Sequence, residues 1–82
     1  MKEYTLEEIS KHNKVDDCWI VIDNIVYNIT KFIELHPGGK SVLVSLAGTD
    51  ASEYFHELHR PDILTEYADE YKIGIVIDNN KL

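Results

Sequence analysis

Two short runs of β-branched and aromatic residues, Trp19-Ile20-Val21-Ile22 and Ile25-Val26-Tyr27, are separated only by Asp23-Asn24. Both linking residues tolerate the positive φ that a two-residue turn demands, so the stretch reads as an antiparallel hairpin. The remaining segments must be organised around it. Thr5-Leu6-Glu7-Glu8 is a capping box that starts a short helix running to about His12, followed by a loop over residues 13–17. Thr30 is placed to cap a helix through Lys31-Phe32-Ile33-Glu34-Leu35, which must stop at His36 because Pro37 drives the preceding residue out of the α region. Val42, Leu43 and Leu46 then recur at helical spacing until Gly48, and Asp50-Ala51-Ser52-Glu53 opens another helix carrying Tyr54, Phe55 and Leu58. Pro61-Asp62 restarts helix to about Ala68, and Tyr71 to Ile77 reads as a closing strand that rejoins the sheet.

This order predicts an α+β fold in one domain, residues 1–82. At 82 residues with a single cysteine, Cys18, no internal disulfide can supplement a small core, which leaves a bound metal or cofactor as the usual supplement. The 15 acidic against 8 basic residues give a net charge of -7, which argues against a phosphate-backbone partner and for docking to a basic surface. Nucleic acid is excluded as an expected target. The amino terminus lacks a secretory signal pattern, and no stretch approaches the roughly 18 apolar residues of a membrane helix. A soluble, cytoplasmic protein is expected, beginning at Met1 as a complete small protein without a membrane anchor.

Of the four histidines, His36 sits on a Pro-Gly-Gly turn between two helices and His59 closes a helix before Arg60-Pro61. Between them in sequence lie Val42, Leu43, Leu46, Phe55 and Leu58. A helical pocket of this kind could bring two imidazoles face to face across a flat apolar cofactor with a central metal, since imidazole is a good iron ligand. An ordinary small core with histidines at helix ends is the simpler reading of spacing alone, and both stay open on that ground. His56-Glu57-Leu58-His59 is no zinc-protease helix, because its histidines are three rather than four apart. No Cys-x-x-Cys-His is present for covalent haem attachment, and Gly48-Thr49-Asp50 lacks the lysine and glycine spacing of a phosphate loop. Ser41, Ser45 and Ser52 have no nucleophile elbow around them.

Phe32-Ile33-Glu34-Leu35-His36-Pro37-Gly38-Gly39, followed by Ala47-Gly48-Thr49-Asp50-Ala51-Ser52 and Phe55 to His59, resembles the cytochrome b5 family. The resemblance extends from Tyr4-Thr5-Leu6-Glu7-Glu8 through Cys18-Trp19-Ile20-Val21 and Val26 to Phe32, and ends at Tyr71-Lys72-Ile73-Gly74. It implies a cytochrome b5-like fold, a small mixed sheet with two helix pairs enclosing a haem pocket. It further implies non-covalent haem b (iron protoporphyrin IX) with His36 and His59 as axial iron ligands. The pocket residues implied are Phe32, Pro37, Gly38, Gly39, Val42, Leu43, Leu46 and Phe55, with Ile22 and Ile29 from the sheet side. Arg60 is the residue that could pair with a haem propionate. His56 is a competitor to His59 at a position that does not match the family motif.

The function implied is a monomeric one-electron carrier rather than an enzyme. It would take electrons from a flavoprotein reductase of the NADH-cytochrome b5 reductase type and pass them to an acceptor such as a desaturase or other oxidase. Lys40-Ser41 and Ser45 stand where vertebrate microsomal members tend to carry acids, leaving Asp50, Glu53, Glu57, Asp62 and Glu66 as candidate docking residues. Phe55 and His59 are one residue closer than in those proteins, a spacing more like b5 domains fused to larger oxidoreductases. The alternatives are therefore the haem domain of such an oxidoreductase, or a haem or ligand-binding regulatory module of the steroid-binding type, whose members lack the paired histidines.

Overall fold

A computed structural model describes residues 2–35, 40–57 and 69–77. The hairpin forms as the sequence demands: β3 (Asp17–Ile22) and β4 (Ile25–Asn28) pair antiparallel, with Asp23 and Asn24 at φ 52° and 69° in the turn. Two positive φ values in succession are the signature of the turn whose twist matches that of the flanking strands. Around this hairpin a five-stranded sheet assembles in the order β1-β5-β4-β3-β2. Its other members are β1 (Lys2–Thr5), β2 (Asn13–Lys14) and β5 (Lys72–Ile77). β1 runs parallel to β5 and every other pairing is antiparallel, so the sheet is mixed.

Neither β1 nor β2 is foreseen by the sequence pattern. β1 is an edge strand with half-exposed Tyr4 and Thr5 and exposed Lys2 and Glu3, so it carries no apolar run, and its partner lies at the far end of the chain. β2 is only two exposed residues long, inside the expected loop.

Four short helices are described: α1 (Leu6–Ser10), α2 (Thr30–Leu35), α3 (Lys40–Ser45) and α4 (Ser52–Glu57). The Thr5 hydroxyl accepts from the Glu8 amide at 3.1 Å, which is the expected cap. The Glu8 carboxylate, however, turns to His12 instead of completing the box. Helix geometry ends at Ser10, and tighter bonds from the Lys11 and His12 amides to the Glu8 and Ile9 carbonyls close the turn. Thr30 is not the cap of α2. Its hydroxyl accepts from the Cys18 amide at 3.0 Å and donates to Asn28 Oδ1 at 2.7 Å, while Asn28 Oδ1 takes the Thr30 amide. Asn28 therefore caps α2, and Thr30 is spent on fastening that helix to β3. The helix expected over residues 61–68 lies outside the described residues.

Side-chain alternation along the hairpin divides the core between the two faces of the sheet. Cys18, Ile20, Ile22 and Tyr27 point to the side covered by α2, α3 and α4, whereas Val21 and Val26 join Ile9 of α1 on the other side. The β4–β5 register slips between Val26 and Tyr27, so Ile73 and Val76, which differ in parity, both reach the α1 side. Gly74 sits where β1 crosses close to β5. A Cβ there would fall against the Lys2 carbonyl oxygen and 2.7 Å from Tyr4 Cε2. Gly74→Ala is therefore expected to cost about 1–3 kcal/mol of stability by overpacking, measured by urea denaturation. Parental stability in that variant would mean β1 does not dock on β5 as described.

Candidate functional site

The helix-covered face brings together residues from four elements. Ile22 of β3 and Ile29, just before α2, form its floor; Phe32 of α2 and Leu43 of α3 are buried over them, and half-buried Leu46 and Phe55 pack against the cluster. Phe32 meets Tyr71 edge-on at 5.6 Å between ring centroids, and Phe55 meets Tyr54 in the same manner at 5.4 Å. Six of the residues named from the sequence thus share one apolar wall. Val42 does not belong to its buried part, being 39% exposed. Neighbouring helix positions lie about 100° apart, so once Leu43 and Ala47 face the core, Val42 is left on the flank above half-buried Leu46.

Cys18, Ile20, Tyr27, Ile33, Ala47, Ala51 and Tyr71 are also buried in the cluster and were not singled out as pocket residues in sequence. The alternation Cys18, Ile20, Ile22 was the available signal for the first two. Ala47 and Ala51 depend on tertiary packing, since small residues become core only where backbones approach closely. The Cys18 thiol is aimed at the Leu43 carbonyl at 3.9 Å, and burial, assisted by the nearby Asp17 charge, pushes its pKa up to about 11. It stays a neutral thiol beneath α3.

His36, Pro37, Gly38, Gly39, His59 and Arg60 lie outside the described residues, as do Asp62 and Glu66 of the expected docking face. In sequence His36 follows α2 directly, and His59 is two residues beyond α4. Asp50, Glu53 and Glu57 are exposed, and the Asp50 carboxylate is already engaged, accepting from the Ser52 amide at 2.9 Å and hydroxyl at 2.6 Å. His56 lies on the outer side of α4 with its Nε2 2.8 Å from Asp23 Oδ1.

The wall fits a flat apolar group. No charged or polar side chain is buried among the described residues, and apolar Val42 of α3, Leu46 just after it and Phe55 of α4 retain open surface. Among the described residues no three His, Cys, Asp or Glu side chains converge as ligands, so they build no metal centre from protein groups alone.

On the opposite face lies His12, the more constrained of the two histidines among the described residues. His12 Nδ1 lies 2.8 Å from Asp17 Oδ1 and Nε2 3.0 Å from Glu8 Oε2, while the ring stacks on Trp19 with centroids 3.6 Å apart and planes 7° from parallel. Burial pulls its pKa down, but the hydrogen bonds and charges of Asp17 and Glu8 together outweigh this and leave it raised above 6.5. The folded state thus holds the proton more tightly than the unfolded one. The resulting stabilisation is complete below pH 6.5 and is lost as pH rises through the folded-state value. Denaturation midpoints are expected to fall as pH rises above 6.5, with a ring-proton resonance of His12 titrating in step, and His12→Phe should flatten the dependence. A midpoint independent of pH in that range would contradict the pairing.

Residues 5–77 match the family model described as "Cytochrome b5-like Heme/Steroid binding domain". The chain is 48% identical over 73 residues to a cytochrome b5 of Oryza sativa subsp. japonica, covering 89% of this chain and 53% of that one. It is also 44% identical over 77 residues to an acyl-lipid (8-3)-desaturase B of Dictyostelium discoideum, covering 93% of this chain and 16% of the desaturase. Among solved structures it is similar to the cytochrome b5 of Ostreococcus tauri virus 2, with a TM-score of 0.80 and 47% identity over 89% of this chain and 94% of the other. The chain spans about half the length of the curated cytochromes it matches.

Proposed function

This chain belongs to the cytochrome b5 family of haem-binding domains, and from that premise we propose that it is a one-electron carrier with haem b held between the imidazoles of His36 and His59. The observation that supports the reading is the apolar wall of Phe32, Leu43, Leu46 and Phe55 over Ile22 and Ile29, with one histidine next in sequence to α2 and the other just beyond α4. When bound, haem b supplies an iron that gains and loses one electron. The chain's part is to hold and shield it. α2 is fastened to β3 through Thr30, which gives the segment leading to His36 a fixed origin. Phe32 and Leu43 exclude water from the pocket floor, and the absence of buried charge among the described residues keeps that floor apolar. His36 and His59 would hold the haem through their imidazoles, and an iron so occupied by protein ligands would serve electron transfer rather than catalysis.

Exposed Glu53 and Glu57, on a chain of net charge -7, support docking to basic surfaces of a flavoprotein reductase and of an acceptor such as a desaturase. No helix among the described residues is long and apolar enough to cross a membrane. The match to part of a desaturase favours one second reading, a domain that passes electrons within a larger oxidoreductase. The paired histidines count against a ligand-binding module of the steroid type.

The visible spectrum, oxidised and reduced, tests the assignment. Sharp low-spin bands indifferent to carbon monoxide are expected, and His36→Ala or His59→Ala should abolish them. Unchanged spectra in both variants would overturn the axial pair, and a carbon-monoxide-sensitive parent would point to an open iron and to ligand binding.

A further inference from the structure

We infer that Asp23 and His56 form a latch that sets the position of α4, and through it the Phe55 side of the pocket; the role toward haem rests on the function proposed above. The start of α4 is held by backbone bonds. Val21 donates to the Thr49 carbonyl at 3.0 Å and Ala51 donates to the Val21 carbonyl at 2.7 Å, which sews the segment before α4 onto β3. A helix of six residues gains little from its own hydrogen bonds, so its far end needs a separate tether.

Asp23 supplies that tether from one residue. Its amide donates to Ser52 Oγ at 2.7 Å, and its carboxylate receives His56 Nε2–H at 2.8 Å. Ser52 and His56 are four apart and share one helix face, so two bonds from a single residue fix both the tilt of α4 and its rotation. The turn that bears Asp23 is itself rigid. Asp23 and Asn24 occupy left-handed φ, and the Asn24 carbonyl accepts the Val76 amide of β5 at 2.9 Å. With His56 held outward, Phe55 is turned onto the core cluster. His56 is thus a positioning residue, its imidazole bonded to Asp23.

The pair is exposed, 63% for His56 and 61% for Asp23, so it adds little to global stability and its effect belongs to α4 alone. The test uses the haem-loaded protein with His56→Ala and His56→Gln, the amide of glutamine being able to donate to Asp23 as the imidazole does. Three readouts are taken: amide hydrogen exchange over residues 54–57, the urea midpoint, and the rate of haem transfer to a haem-free globin. For His56→Ala, faster exchange in α4, an unchanged urea midpoint and haem loss accelerated by about threefold to fivefold are expected, with His56→Gln returning both rates toward the parent. Unchanged exchange in His56→Ala overturns the latch. Faster exchange with unaltered haem loss overturns its role in the pocket. Should the parent bind no haem, the function proposed above fails, while the exchange comparison on that protein still decides the latch.

Discussion

The outer edge of β3 is the constraint on which the helical layer depends. Over residues 19–21 that edge pairs with no regular strand; it bonds to residues 48–51, with Gly48 donating to the Trp19 carbonyl, Val21 donating to Thr49 and Ala51 donating to Val21. An interior strand left unpaired there would expose backbone groups that folding must satisfy. The connection between α3 and α4 fills the role, so α3 ends and α4 starts at a fixed height above the sheet. Gly48 makes this feasible at φ +76°, with its α-carbon so close to Ser10 that an added Cβ would lie 3.1 Å from the Ser10 carbonyl oxygen. At its other end β3 holds α2, through the Cys18 amide on Thr30 Oγ1 and the Ile29 amide on the Cys18 carbonyl. α2, α3 and α4 therefore hang from one strand.

That arrangement separates two kinds of environment on the two faces of the sheet. The helix side is apolar, with Phe32, Leu43, Ile22 and Ile29 buried and the Cys18 thiol held neutral. This is the setting in which an apolar cofactor gains burial and in which the protein need not compete with buried charge. The α1 side instead carries an imidazole between two carboxylates and against an indole, a setting that favours its protonated form. Titration of His12 can therefore alter stability without adding charge to the pocket floor.

Local chemistry made much of this legible. Asp23-Asn24 between two β-branched runs specified the hairpin, Thr5 specified the start of α1, and Gly48 and Asp50 marked the break between α3 and α4; each rests on interactions within a few residues. A misreading arose at Thr30, whose side chain had two plausible partners. The Thr30 hydroxyl could cap its own helix or bind the β3 backbone, and Asn28, two residues earlier, freed it for the second. Val42 and Leu43 were both apolar at helical spacing, and only the seating of α3 on Cys18 and Ile20 decided that Leu43 turned inward.

By itself, then, the sequence determined the elements whose hydrogen bonds and turns are local, and part of the apolar residue set of the helix-covered face. Tertiary structure decided what depended on distant partners. β1 exists because Lys2 to Thr5 meet Gly74 to Ile77 across the length of the chain, and nothing in four mostly polar residues announces that pairing. The attachment of residues 48–51 to β3, and of His56 to Asp23 across 33 positions, likewise follows from how the helices settle on the sheet. Hydrophobic patterning states which side chains leave water, whereas hydrogen bonds between remote backbones are chosen only once those side chains have packed.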